Sequence, residues 1–361
     1  MKDIVELLTP FFPDELNTRP ETLGQSVLSL SKIDMRNLEG KIIILGIPDD
    51  RGIALNKGHL GAKEGPNSFR KAFYSLYCGK NFLVDAGRII DAGNIILTEN
   101  IATTHSRLAL VVSSLLKAKA SKIIVIGGGH DFSFGSYSGI FNFSGTIIPI
   151  VNYDAHFDLR PVENGQINSG TPFYRIIETF PSAILDGQGL LEVGIQKDRN
   201  PQSLYQYAKK KKVGVIELNG NDWELNETTL HHSNPTHEGE KKNQSETEND
   251  SHKAHSPHNP IPLSYIDHHL NSCSKLGWKR ATDPLHLSID LDVFGSWLAP
   301  GTSASTPFGA NLNCLLDSMT YLATLATVID IAELCPPRDI NDQTSRLAAG
   351  LVYRLIDQCL D

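Results

Sequence analysis

No stretch of this chain is long and apolar enough to cross a bilayer, so no membrane partner is expected. The opening Met-Lys-Asp-Ile-Val-Glu-Leu-Leu-Thr-Pro sets acids and a proline where a signal peptide needs an unbroken apolar run. Cysteine is scarce. Cys78, Cys273, Cys314, Cys335 and Cys359 are odd in number and lack Cys-x-x-Cys spacing, which argues against a disulfide framework and suits free thiols in a reducing compartment. A cytoplasmic location is the expectation. Positive charge is also short: 33 Lys and Arg against 41 Asp and Glu leave a net charge of −8. The basic run Lys209 to Lys212 reads as a solvated helix end, so no nucleic-acid partner is expected. No internal repeat is present, and Gly127-Gly-Gly-His130 lacks the Gly-x-Gly-x-x-Gly and Walker spacings of phosphate loops. What remains, 361 residues at 40% hydrophobic, can build a sizeable core in one large domain or two small ones.

After a mixed helix-and-turn extension over 1–38, apolar runs at 41–47, 122–127, 146–154, 190–195, 213–218, 285–292 and 327–333 read as strands. They are nearly continuous rather than alternating, the pattern of strands covered on both faces. Amphipathic stretches at 62–77, 103–119, 202–211, 311–325 and 343–359 suit helices between them. The alternation predicts an α/β fold with a doubly wound, mostly parallel sheet over 39–361. Residues 220–262, almost without apolar side chains between Leu230 and Ile261, read as a disordered polar insertion. Its histidines, His231, His232, His237, His252, His255 and His258, are either incidental to an irregular loop or a metal-gathering tract, and no fixed ligand spacing recurs among them.

The chemistry concentrates at strand ends. In Asn152-Tyr-Asp-Ala-His-Phe-Asp158, the residues Asp154, His156 and Asp158 alternate and would share one face of an extended strand. Asp290 and Asp292 end a second apolar run, His130 a third and Glu333 a fourth. Ligands of open parallel sheets gather beyond such carboxyl ends. Four carboxylates in one pocket carry about −4, which is costly without cations and matches two divalent ions. An oxygen-rich set with two imidazoles suits Mn²⁺ better than Zn²⁺. With Asp154 and Asp290 bridging, a water between the ions would become a hydroxide near neutral pH, the equipment of a hydrolase.

With these residues in place, the chain resembles the arginase or ureohydrolase superfamily from about residue 40 onward. The resemblance rests on Gly61-Ala-Lys-Glu-Gly-Pro66, Gly128-Gly129-His130, Asp154-Ala-His-Phe-Asp158, Ser288-Ile-Asp-Leu-Asp292, and Glu333 through Arg346-Leu-Ala-Ala. It implies a three-layer α/β/α fold and two Mn²⁺ per subunit that serve hydrolysis of amidine or guanidinium carbon–nitrogen bonds. One ion would lie among His130, Asp154, Asp158 and Asp290, the other among Asp154, His156, Asp290 and Asp292. Asp158 would handle a proton, Glu333 would pair with the cationic substrate group, and the chain would form a homo-oligomer.

Flanking residues resemble the formimidoylglutamase branch, which converts N-formimidoyl-glutamate and water to glutamate and formamide. They are His156-Phe-Asp-Leu-Arg160, Asn168-Ser-Gly-Thr-Pro-Phe173 and Ala299-Pro-Gly-Thr-Ser303. Arginases carry a small amide at the position of Arg160 and a proton-shuttling His at that of Phe173, while agmatinase-like relatives carry a His at that of Ser169. Arg160 offers a bidentate fork to a carboxylate, favouring an acidic substrate held with Asn168 and Ser169; the alternative is a salt bridge to Glu163. The expected partner is thus a small amidino or guanidino acid. The other readings are a different ureohydrolase acting on a guanidino acid and a non-catalytic metal-binding relative.

Overall fold

The computed structural model describes residues 2–16, 18–78, 86–219, 222–225 and 259–359. The seven apolar runs form β3 (Ile42–Gly46), β5 (Lys122–Ile126), β6 (Ile150–Tyr153), β7 (Leu190–Ile195), β8 (Gly214–Asn219), β10 (His286–Asp290) and β11 (Val328–Ala332) of one sheet, and β4 (Ile89–Ile95) joins them. Short β1 (Leu8–Thr9), β2 (Leu28–Ser29) and β9 (Asp222–Leu225) complete it. Its order is β1-β4-β3-β5-β11-β10-β6-β7-β8-β9, with β2 also on β4, and all pairings are parallel except β1 with β4 and β8 with β9. This is the expected doubly wound α/β sheet.

Both faces are buried, which explains the unbroken apolar runs. Alternate residues feed two cores. Ile42, Ile44, Ile124, Ile126, Val151 and Tyr153 pack with α2 (Gly65–Phe73), α7 (Leu263–Lys275), α8 (Leu312–Leu325) and α9 (Gln343–Asp357). Ile43, Leu45, Ile123, Val125 and Ile150 face α3 (Ile101–Lys117), α4 (Ser133–Ser144), α5 (Pro172–Thr179) and α6 (Gln202–Lys211). A short α1 (Arg51–Leu55) follows β3.

The departures from expectation have local causes. Strand β4 escapes a hydropathy reading because Asp91, Gly93 and Asn94 interrupt it; buried Asp91 is instead gripped by Arg70, with Nε and Nη2 at 2.8 and 2.9 Å. Helix α4, rich in Ser and Gly, reads as loop but uses small residues to approach α3: a Cβ on Gly139 would stand 2.6 Å from that of Val112. Residues 2–38 hold short 3₁₀ turns, and β1 and β2 tie them to the sheet edge. The margins of the 220–262 insertion also belong to the fold, correcting the expectation of disorder there. Asp222–Leu225 pairs with β8, Trp223 Nε1 donates to Asn259 O at 2.8 Å, and Ile261 is buried. Residues 226–258, which hold the six histidines, lie outside the described residues.

Candidate metal centre

Strands β5, β11, β10 and β6 are consecutive and parallel, so their carboxyl ends form a row. Register sets Ile289 beside Tyr153 and Ile331 beside Ile126, which brings the residues just beyond each tip level with one another. His130 follows β5 through glycines that no larger residue could replace: a Cβ on Gly128 would stand 1.9 Å from Asp49 O.

Strand β6 ends at Tyr153, so Asp154, His156 and Asp158 do not share the face of an extended strand as their alternation predicts. A tight turn brings them together instead. Asp154 Oδ1 accepts the N–H of His156 at 2.7 Å, and Asp290 Oδ1 accepts that of Asp292 at 2.8 Å. The same device occurs twice: one oxygen folds the chain back so that a second ligand returns, and Oδ2 stays free to face the cluster. Asp158 then takes a left-handed backbone at φ 48°, and Glu333 another at φ 66°. Non-glycine residues hold such angles at a cost when the surroundings demand it, and functional sites collect them.

Two sets of ligand atoms result, each within 4.8 Å of one another: His130, Asp154, Asp158 and Asp290, and Asp154, His156 and Asp292. His130 Nδ1 lies 3.1, 3.0 and 3.3 Å from Oδ2 of Asp154, Asp158 and Asp290. His156 Nδ1 lies 3.0 Å from Asp292 Oδ2 and 3.4 Å from Asp154 Oδ1. Asp290, expected in both sets, falls only in the first at this spacing. All are buried except His156, whose side chain is 22% exposed.

The electrostatics are those of a site built for cations. Burial and the charges of Asp292 and Asp154 push the Asp290 carboxyl well above the usual range, and burial with Asp154 pushes Asp158 up to about 6. Asp154 goes the other way: burial opposes its ionisation, but the close approach of the His130 and His156 rings outweighs that and lowers it. Burial would lower both histidines, yet the surrounding carboxylates raise them well above normal. Despite the short separations, His130 Nδ1 and Asp154 Oδ2 make no aligned hydrogen bond. Buried polar atoms without partners are rare. These converge on a common point rather than on each other, the arrangement a metal ion satisfies.

Supporting groups hold the ligands. His130 Nε2 lies 2.7 Å from Ser288 Oγ, which fixes the ring with Nδ1 toward the carboxylates. Glu333, buried at the β11 end, accepts the His130 N–H at 2.9 Å on Oε1 and the Ser303 hydroxyl on Oε2. Phe173 sets its ring edge-on to His130 at 5.3 Å, so the position where arginases carry a shuttle His is an apolar wall here.

Arg160, Asn168 and Ser169 lie on the loop between β6 and α5. Arg160 is exposed and its Nη1 donates to Asn56 Oδ1 rather than to Glu163, while Asn56 Nδ2 donates to Ser169 Oγ at 2.9 Å. Asn168 is partly engaged in its own turn, its Oδ1 accepting from Gly170 N at 3.0 Å. Sequence reasoning missed Asn56, Ser288 and Ser303. Both serines sit inside quoted motifs and could have been found as polar neighbours of ligands; Asn56, in no motif, gave no signal.

The arginase family model matches residues 40–234 and 263–357. A formimidoylglutamase of Vibrio parahaemolyticus is 30% identical over 342 residues, covering 89% of this chain and 84% of that one. The chain belongs to the arginase family. Among solved structures, the formimidoylglutamase of Bacillus subtilis matches with a TM-score of 0.72 at 23% identity over 94% of this chain and 92% of that one. The formiminoglutamase of Trypanosoma cruzi with two Mn²⁺ matches at 0.66 and 23% over 89% and 94%. Family membership accounts for the sheet with helices on both of its faces.

Proposed function

We propose that this chain hydrolyses N-formimidoyl-L-glutamate to L-glutamate and formamide and holds two Mn²⁺ per subunit. The observation that carries this reading is the convergence of His130, Asp154, Asp158 and Asp290 with the overlapping set Asp154, His156 and Asp292. These two sets would hold the ions, with Asp154 shared. Bound there, divalent ions would supply Lewis acidity at the reacting carbon and lower the pKa of a water. The substrate choice draws on the relatives named formimidoylglutamase and on Arg160, whose guanidinium stands exposed on the loop that follows the ligand turn.

The chain's own groups divide the remaining work. Glu333 is anchored by His130 N–H and Ser303 but keeps lone pairs that can accept a hydrogen bond from the amidinium. Arg160, steadied by Asn56, binds a substrate carboxylate beside Ser169 and Asn168. The oxygen of water adds to the formimidoyl carbon, the bond from that carbon to the glutamate nitrogen breaks, and a proton must reach the departing nitrogen. Asp158, a carboxylate within the first ligand set, would be in reach to accept that proton and return it to the departing nitrogen. Phe173 packs its ring edge-on against His130 and offers no proton-carrying group there.

The five free cysteines suit a reducing compartment such as the cytoplasm, and no helix among the described residues is long and apolar enough to cross a membrane. The test is product analysis by mass spectrometry with Mn²⁺ and a panel of amidino and guanidino acids. Equal formamide and glutamate from N-formimidoyl-L-glutamate is the expected result; urea from a guanidino acid with no formamide overturns it.

A further inference from the structure

The row of strand tips does not stop at β6. Strand β7 is next in the sheet, and Gln196, one residue beyond its end, donates its N–H to Ala155 O at 3.1 Å. Ala155 lies between the ligands Asp154 and His156, so Gln196 stands one strand, roughly 5 Å, from the metal centre. Its side chain is 3% exposed, and Nε2 has no partner among the described residues. Three residues on, Arg199 Nε is likewise buried and without a hydrogen bond. Its neighbour Asp198 comes no closer than 3.8 Å and is 65% exposed.

Thr306 joins these two groups. Arg199 Nη2 donates to Thr306 Oγ1 at 3.2 Å, and that hydroxyl donates to Gln196 Oε1 at 3.0 Å. With Oε1 committed as acceptor, the amide must present its two Nε2 hydrogens elsewhere, beside the unused guanidinium N–H. The result is a cationic fork and an amide donor held by one hydroxyl, with Arg199 Nε and Gln196 Nε2 unreceived among the described residues. Leaving such donors unsatisfied in the interior is unfavourable, and a carboxylate is the acceptor that matches them in charge and geometry. Thr306 comes from the loop that leaves Asp292 and carries Ser303, which bonds to Glu333. The pair therefore borders the reaction site rather than a remote surface. Asn200 fixes the loop, its Nδ2 donating to Ala155 O and Gln196 O at 2.9 Å each and its Oδ1 accepting from Phe157 N at 2.9 Å. The donors are thus placed in advance of binding.

We infer that Arg199 and Gln196 form a second carboxylate subsite, which holds the substrate carboxyl that Arg160 does not. This rests on the reading of the substrate as N-formimidoyl-L-glutamate, whose two carboxylates would then each have an arginine, one from the loop after β6 and one from the loop after β7. A substrate with a single carboxylate would leave one of these subsites unfilled.

The test compares wild type with Arg199→Gln, one-third exposed in the parent and so tolerant of change, on the Mn²⁺-supplied enzyme. Three substrates are used: N-formimidoyl-L-glutamate, N-formimidoyl-4-aminobutyrate without the α-carboxylate, and N-formimidoyl-2-aminobutyrate without the distal one. For the parent substrate KM should rise on the order of 10- to 100-fold, the scale of one hydrogen bond to a charged group, with kcat within a few-fold. The analogue lacking the contacted carboxylate should be insensitive to the substitution. Calorimetric binding of L-glutamate should weaken in parallel. An equal fall on all three substrates, or no change on any, overturns the subsite while leaving the activity standing. Wild type that releases no formamide from the parent substrate overturns the underlying reading instead.

Discussion

Two of the buried clusters of charged side chains are built in opposite ways. Around Asp91 the chain supplies everything the charges need. Arg70 donates to Asp91 Oδ2 at 2.8 Å, to Oδ1 at 2.9 Å and to Gly93 O at 2.8 Å, Tyr74 adds its hydroxyl, and Gly93 N donates at 2.7 Å. One cation meets one anion, and no side-chain atom of the group is without a partner. At the carboxyl edge, four carboxylates and two imidazoles crowd together with His130 Nδ1 and Asp154 Oδ2 unmatched. The first cluster is closed and holds the sheet edge to α2. The second is left incomplete by its own sequence, which makes it a site for something from outside.

This contrast can be broken from either side. The largest effect is expected for Asp290→Asn, which keeps the oxygen that turns the chain but removes a charge from the ligand set. Bound Mn²⁺ should fall together with kcat/KM, the latter by about 1,000-fold. Unaltered metal content, measured by elemental analysis, would refute its role as a ligand. Asp91→Ala attacks the closed cluster and should act on stability alone, costing about 3–5 kcal/mol because Arg70 is stranded in the interior. Denaturant unfolding checks this, with activity per folded molecule unchanged. Ser288→Ala should weaken metal affinity about 10–100-fold by freeing the His130 ring, with less change in folding; competition with a metallochromic indicator reads it.

The smallest effect concerns pH. The Asp158 carboxyl, raised to about 6, is protonated below that value in the metal-free protein and must lose its proton to serve as a ligand. Mn²⁺ affinity should therefore fall as pH drops through 6, by about tenfold per unit for this proton alone, and the raised His130, His156 and Asp290 extend the dependence to higher pH. The sign for stability is the reverse in the metal-free protein: a carboxyl raised by folding favours the folded state while protonated, and that contribution is lost as pH rises through 6. Thermal melts with and without Mn²⁺ should accordingly diverge with increasing pH.

Much of this was legible in the chain itself. Seven of the apolar runs became strands because two-sided burial leaves a signal in every residue, and the ligand row followed from the rule that such strands present their carboxyl ends. Strand β4 was hidden because its polar Asp91 is satisfied by Arg70, 21 positions away, a partner that hydropathy does not see. The spacing in Asp154-Ala-His-Phe-Asp158 pointed to residues that do converge, but by another local route: strand geometry was expected, and an aspartate-capped turn is what gathers them. The roles of Asn56, Gln196 and Arg199 were illegible, since each depends on a hydrogen bond to a residue about 100 positions distant.

The angles at Asp158 and Glu333 carry a last consequence. Both lie where glycine would sit without strain, and each non-glycine residue held there costs on the order of 1 kcal/mol. At Glu333 the two hydrogen bonds to His130 N–H and Ser303 offset that cost, but replacing Asp158 with glycine should leave a metal-free protein that withstands heat at least as well as the parent. Durability alone would not call for a carboxyl at 158, which marks where the molecule trades robustness for reactivity.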